Sequence, residues 1–204
     1  MVLFFPQPLV CATCDVMHVQ AVSSSSPMQP QVEMQEYNEV VADSLSAEDV
    51  GGSQQCLSVV VDGHKSIGDL LQSSAGRTEL ETLFNVCVPG ALEDKKNQEQ
   101  FAGDGVVYFP VQSNDPACTT PLCNIASICS YLTGPELAEQ DDVHKLASLA
   151  AAMSGGTCQV VSYDAMIKAT ANPKNPVRSW LYQTCTEWGF YQTCPIGSRY
   201  NVIC

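Results

Sequence analysis

Hydrophobic residues recur at spacings of three, four and seven positions along most of the chain. This is the period of one buried face of an α-helix, with polar residues at the positions between. Residues 59–61 are three consecutive valines, which a β-strand also accepts, but the length and the flanks of the segment favour a helix. The pattern predicts helices over residues 33–45, 53–72, 78–86, 97–107, 122–132, 135–153, 162–169 and 178–194.

The last of these segments combines hydrophobic and polar residues on one face. A single stripe at helical spacing contains Trp180, Gln183, Glu187 and Phe190 or Tyr191. Buried Trp and Gln side chains need hydrogen-bond partners, and a buried Glu needs a pairing charge. Two interpretations follow: a core helix fixed by disulfides, or a helix that also lines a pocket.

The composition is that of a folded, acidic protein. Of 204 residues, 45% are hydrophobic and 15% are charged, and the net charge is −13. Because only nine residues are Lys or Arg, the chain lacks the basic surface that phosphate contacts require, and we expect no nucleic-acid partner. No apolar run is long enough to span a bilayer, so we expect no transmembrane segment.

Eleven cysteines are spread across the chain. Dispersed cysteines predict a disulfide framework formed in an oxidising compartment, so we expect a vesicular or extracellular location. Cys11-Ala-Thr-Cys14 has the spacing of a redox or zinc motif, but no second pair follows, and an irregular leader is the simpler interpretation. The first residues do not form a convincing signal peptide, because Pro6 and Pro8 interrupt the apolar stretch.

Four segments resemble, in the same order, segments of a serine peptidase family. The most specific is Trp180-Leu-Tyr-Gln-Thr-Cys185-Thr-Glu187, which has the pattern W-x-Y-Q-x-C-T-E. The others are Ala21-Val-Ser-Ser-Ser-Ser-Pro27, residues 36–45 and Gly51-Gly-Ser-Gln-Gln-Cys56. Over about residues 19–200 the chain resembles the family of lysosomal Pro-X carboxypeptidase, dipeptidyl peptidase II and thymus-specific serine protease. The Gly-Gly-Ser segment is most similar to the thymus-specific member.

This resemblance implies a fold and a division of the chain. The helices would form the disulfide-tied cap (insert) domain of an α/β-hydrolase-type serine peptidase, over residues 32–204. Residues 19–31 would be a remnant hydrolase strand, at 19–22, and a loop at the edge of the active site. Composition alone favours a polar linker for the serine run of this loop. Residues 1–18 are an unassigned leader.

The resemblance also implies disulfide pairs. We expect Cys56 to pair with Cys129 and Cys87 with Cys158. Cys185 would pair with a downstream cysteine such as Cys204. Cys118 and Cys123 are close enough in sequence to enclose a small loop.

A serine peptidase needs a nucleophile, a base and an orienting acid, and the sequence matches none of them. Gly51-Gly-Ser53 begins like a nucleophile elbow but lacks its closing glycine, so Ser53 is better explained as a helix cap. His18, His64 and His144 match no catalytic motif, and we expect His64 and His144 on the surface. Asp141 and Asp142 beside His144 hint at a metal site, but adjacent carboxylates on a helix diverge. We therefore expect no catalytic residue, metal ligand or cofactor in this chain.

Two functions follow from these observations. The first is a fragment of a serine-type exopeptidase that acts near proline or small residues, as a carboxypeptidase or a dipeptidyl peptidase, and that is inactive by itself. Its peptide substrate would contact Tyr182, Gln183, Glu187 and Phe190. Glu187 would bind a free amine or satisfy a buried network. The alternative is a non-catalytic, disulfide-rich helical module that binds peptides.

Overall fold

This computed structural model describes residues 37–102, 111, 114–115, 117–183 and 186. Its regular secondary structure is helical. Among these residues there is no β-strand, and one isolated parallel bridge joins Val86 to Gln159. Short 3-10 turns lie at Glu48–Val50, Ala91–Glu93 and Pro135–Leu137. The α-helices are α1 Tyr37–Ser46, α2 Gln54–Leu71, α3 Ser74–Leu83, α4 Lys95–Ala102, α5 Ile125–Leu132, α6 Asp142–Ser154, α7 Tyr163–Ala171 and α8 Pro176–Gln183.

Helix α2 is the centre of the fold and packs mainly against α6, α3 and α1. Its buried stripe follows the predicted helical period and includes Val60, Ile67 and Leu71. At Gly63 the two longest helices approach closely: a Cβ atom there would lie 2.5 Å from Leu146 Cδ1 and 2.9 Å from the Asp142 carbonyl oxygen. The absence of a side chain at Gly63 therefore sets the distance between α2 and α6.

The mainly helical fold predicted from the hydrophobic pattern is confirmed for the described residues. The three valines at 59–61 lie within α2, as the length of the segment indicated. Several helices begin at a residue other than the predicted one, because a polar side chain caps the helix at that position. The Ser73 side chain accepts a hydrogen bond from Gly76 N, so α3 begins at Ser74, and Asn124 and Ser127 form a capping box that starts α5.

The prediction of one helix over residues 135–153 is wrong. The chain makes a 3-10 turn at Pro135–Leu137, and α6 begins only at Asp142. The cause is Asp141, whose extended backbone and side chain start a new helix by accepting a hydrogen bond from His144 N at 3.0 Å. The predicted end is correct, because Gly155 terminates α6 in the left-handed conformation.

Three disulfides crosslink the described part of the chain. Cys56–Cys129 joins α2 to α5, Cys87–Cys158 lies beside the parallel bridge, and Cys118–Cys123 encloses a short loop. The first two are the pairs that the family resemblance implied, and the third is the small loop suggested by sequence spacing. Such a framework is consistent with a secreted or lysosomal protein. Cys185, Cys204, the leader and the strand at residues 19–22 lie outside the described residues.

None of the described helices is long and apolar enough to cross a membrane.

A buried carboxylate on α3 holds the loop that follows this helix. Glu81 is 7% exposed, and its two oxygens accept hydrogen bonds from the backbone N–H groups of Gly90 and Leu92, each at 2.7 Å. Leu92 is itself completely buried. Glu81 therefore fixes the 3-10 turn at Ala91–Glu93 against α3.

We expect Glu81→Gln to lower the free energy of unfolding by about 2 kcal/mol, because the amide nitrogen cannot accept one of the two backbone hydrogen bonds. Urea unfolding followed by circular dichroism measures the change. Glu79→Gln, at an exposed position on the same helix, is the matched control. Equal stabilities for the two variants would contradict the role given to Glu81.

Candidate functional site

Helix α8 carries the described part of the candidate substrate-binding segment. It begins after Asn175, whose Oδ1 accepts a hydrogen bond from Val177 N at 3.0 Å and whose Nδ2 donates to the Ala169 carbonyl at 3.1 Å. Arg178 Nη1 donates to the Thr170 carbonyl at 3.3 Å. These polar contacts attach the start of α8 to the end of α7.

Two of the four predicted substrate-binding residues lie at the end of α8. Leu181 is 3% exposed and anchors the helix, whereas Tyr182 is half-buried and Gln183 is exposed. The exposed Gln183 amide is accessible to a ligand or to another part of the protein. Glu187 and Phe190 lie outside the described residues, so the role of the four-residue set stays a prediction.

The Gly-Gly-Ser segment is a helix entry. Ser53 caps α2, and its Oγ accepts a hydrogen bond from Cys56 N at 3.1 Å. Gly51 has φ +83°, and a Cβ atom on Gly52 would lie 2.4 Å from the Leu45 carbonyl oxygen. Both glycines are thus explained by the tight turn between α1 and α2, and the serine is explained by the cap.

We expect Ser53→Ala to destabilise the fold by about 1 kcal/mol, because the first turn of α2 loses its side-chain acceptor. Thermal unfolding monitored by circular dichroism measures this loss. Ser58→Ala is the control, since Ser58 lies on the exposed face of the same helix. A change at Ser53 no larger than the change at Ser58 would rule out the capping role.

The prediction that His64 lies on the surface is wrong. His64 is 2% exposed, and its Nδ1 lies 2.7 Å from the Val60 carbonyl oxygen. Burial lowers the pKa of His64 from 6.5 to about 4, and the hydrogen bond to Val60 opposes this shift only in part. The imidazole is therefore neutral in the core at neutral pH.

His144 is exposed, as the sequence indicated, and its ring Nδ1 lies 2.6 Å from Asp141 Oδ1. The same oxygen accepts the hydrogen bond from His144 N, and this backbone bond is the main reason that the pKa of Asp141 is lowered. The Asp141–His144 contact therefore belongs to the cap of α6.

A cleft of about 370 Å³, which the sequence pattern does not predict, opens between α2, α3 and α4. Its lining residues are Gly68, Leu71, Gln72, Arg77, Lys95, Gln98 and Glu99. At one wall, Arg77 donates from Nη1 to the Leu71 carbonyl at 2.9 Å and from Nη2 to Glu93 at 2.7 Å. The hydrogen bond from Arg77, with a second one from Ser74, lowers the pKa of Glu93. The cleft brings charged side chains from separate segments to one surface.

Comparison with known proteins gives matches along most of the chain. The sequence model of the family described as serine carboxypeptidase S28 matches residues 16–202. The human thymus-specific serine protease is 30% identical over 190 residues, which cover 85% of this chain and 36% of that protein. Its mouse counterpart is 28% identical over 186 residues, with 85% and 36% covered. A protein of Caenorhabditis elegans named as a serine protease is 30% identical over 185 residues, with 85% and 35% covered.

No solved structure matches the chain. The chain spans about a third of the length of the curated relatives that it matches.

Proposed function

The chain belongs to the serine carboxypeptidase S28 family, and we propose that it forms the helical cap of an α/β-hydrolase-type serine exopeptidase. The observation that carries this proposal is the family match over residues 16–202 of a chain whose described part is a disulfide-tied helical array. In this proposal the cap contributes substrate recognition, and a hydrolase domain contributes the reacting groups.

Three side chains of the types that serve as nucleophile or base have structural roles here, which supports this division of labour. Ser53 caps α2, His64 fills the core, and His144 packs against the cap of α6. Each has a structural explanation, and none of these roles resembles the Ser–His–Asp geometry of acyl transfer. In the proposal, the nucleophile, the base and the orienting acid come from outside these 204 residues.

We propose that Tyr182 and Gln183, together with Glu187 and Phe190, face the substrate. The end of α8 offers a phenol and an amide next to each other, with Leu181 holding the helix in the core. Such groups can bind the polar ends of a peptide. The proposed substrates are peptide ends near proline or small residues, cleaved in an oxidising compartment to which the disulfides are suited.

A serine-directed fluorophosphonate probe tests the proposal. We expect no stoichiometric labelling of the 204-residue chain, and labelling of one serine in a longer protein that joins this chain to a family hydrolase domain. In the longer protein, Gln183→Ala should raise KM for a peptide substrate more than it lowers kcat, because Gln183 is proposed to bind substrate. Stoichiometric labelling of the 204-residue chain would overturn the division of labour.

One surface favours a second candidate function, a non-catalytic peptide-binding module. Val88 and Val160 are 61% and 71% exposed, and they follow Cys87 and Cys158 by one and two positions in the sequence. Contact surfaces are typically contiguous apolar patches, and in this second candidate function the two valines would belong to one. A monomer in gel filtration that binds a peptide tightly would favour the module, whereas aggregation would favour a cap separated from its hydrolase domain.

A further inference from the structure

The cleft between α2, α3 and α4 contains opposite charges that do not pair with each other. Lys95 and Glu99 lie one helical turn apart on α4, and both line the cleft. Residues at this spacing have Cβ atoms about 6 Å apart and commonly form an ion pair. In the described part of the chain, neither residue forms an ion pair or a hydrogen bond through its charged group. The cleft therefore presents an ammonium and a carboxylate side by side.

Arg77 adds a partly satisfied guanidinium to the same cleft. Its side chain is 18% exposed, Nη1 and Nη2 donate to Leu71 and Glu93, and Nε is buried without a protein acceptor. Nε is closed off from solvent, but a guanidinium has five N–H groups, so Nη1 and Nη2 each keep one N–H beyond the two bonds named and can donate it to a ligand carboxylate. Two of the nine basic residues of this acidic chain thus line one cleft.

We propose that this cleft binds a small zwitterion, a free amino acid or a short peptide. The ligand's carboxylate would lie between the Lys95 ammonium and the Arg77 guanidinium, and its ammonium group would pair with the Glu99 carboxylate. Gly68 and Leu71 form the apolar wall for the ligand's carbon atoms. A volume of about 370 Å³ is at the lower end of the range for small-molecule sites and suits such a ligand.

The cleft is formed by α2, α3 and α4, whereas the proposed substrate contacts lie on and after α8. Binding of a zwitterion here requires no catalysis by the chain. The result of the binding measurement is therefore independent of the results of the fluorophosphonate and KM experiments.

Isothermal titration calorimetry on the full chain, with its disulfides intact, tests the proposal with four probes. Alanine and dialanine carry both charged groups, N-acetyl-alanine lacks the ammonium, and alanine amide lacks the carboxylate. We expect alanine, dialanine or both to bind, and each blocked compound to bind at least about tenfold more weakly, because one charged hydrogen-bonded contact is lost. The ratio of alanine to dialanine affinity distinguishes a free amino acid from a short peptide.

Two variants, each of which removes one charge from the cleft, test whether the ligand binds there. Lys95→Gln and Glu99→Gln should each weaken binding by about tenfold. Lys168→Gln and Glu139→Gln, at exposed positions on α7 and before α6, are the matched controls and should leave it unchanged. The proposal is overturned by no saturable binding of either zwitterion, by equal binding of a blocked compound, or by equal losses in the cleft and control variants.

Discussion

Replacing both Cys56 and Cys129 with alanine is expected to lower the free energy of unfolding by about 4 kcal/mol. The two residues are separated by 73 positions, so the crosslink restricts a large loop of the unfolded chain. Both are in the core, at 0% and 3% exposure, where the disulfide joins the central helix α2 to α5. The loss of packed sulfur atoms adds to the entropic effect.

Guanidinium chloride unfolding of the oxidised chain measures this effect. The control is the double variant Cys118→Ala and Cys123→Ala, whose disulfide spans a separation of only five residues. The loop-entropy relation gives about 2 kcal/mol for that crosslink, so the Cys56–Cys129 variant should be the less stable of the two. The reverse order would show that loop length does not determine what these disulfides contribute.

Local patterns predicted the helices, because their signals lie within a few residues of each other. The stripe of Val60, Ile67 and Leu71 predicts α2 at the correct period, and Ser53 predicts its start. The break before α6 depends on Asp141, which lies in a run of four polar residues, 139–142, that the predicted helix spanned. The competing effect was a side-chain cap, which outweighed helical periodicity at that position.

His64 lies in the core although its residue type favours the surface. It lies four positions after Val60 and three before Ile67, so helical spacing alone places it on the buried face of α2. The expectation of a surface position followed from its polar ring and acidic neighbours. A hydrogen bond to the Val60 carbonyl lets the neutral ring occupy the core.

The cleft could not be predicted in the same way, because its walls come from three helices. The predicted helix over residues 97–107 contains Glu99 but not Lys95, whereas the observed helix α4 begins at Lys95 and carries both residues. Their relation to Arg77 depends on how α3 and α4 pack beside the end of α2. Tertiary packing therefore turns three unremarkable side chains into a candidate ligand site.

Acidification is expected to destabilise the fold through His64. The pKa of this histidine is about 4 in the folded chain and 6.5 in the ordinary, unfolded state. Above pH 6.5 both states are neutral, and His64 makes no difference to stability. As the pH falls further, the unfolded chain binds a proton that the folded chain excludes. The free energy of unfolding should decrease by about 2 kcal/mol at pH 5 and about 3 kcal/mol at pH 4 relative to pH 7.

Urea unfolding of the wild type and of His64→Phe at pH 7, 6 and 5 tests this linkage. The variant should lose most of the pH dependence in this window, because Phe cannot bind a proton, whatever its stability at pH 7. His144→Gln should keep the wild-type dependence, since the His144 ring is exposed. The carboxylates with lowered pKa, Glu93 and Asp141, lose their stabilising effect mainly below pH 5, as the pH falls past their ordinary pKa values of 4.5 and 3.8, so they contribute little between pH 7 and pH 5. An unchanged pH dependence in His64→Phe would show that another group controls acid stability. If the dependence is lost, the disulfide stabilisation of about 4 kcal/mol is large enough to offset the free-energy cost of the buried histidine at low pH.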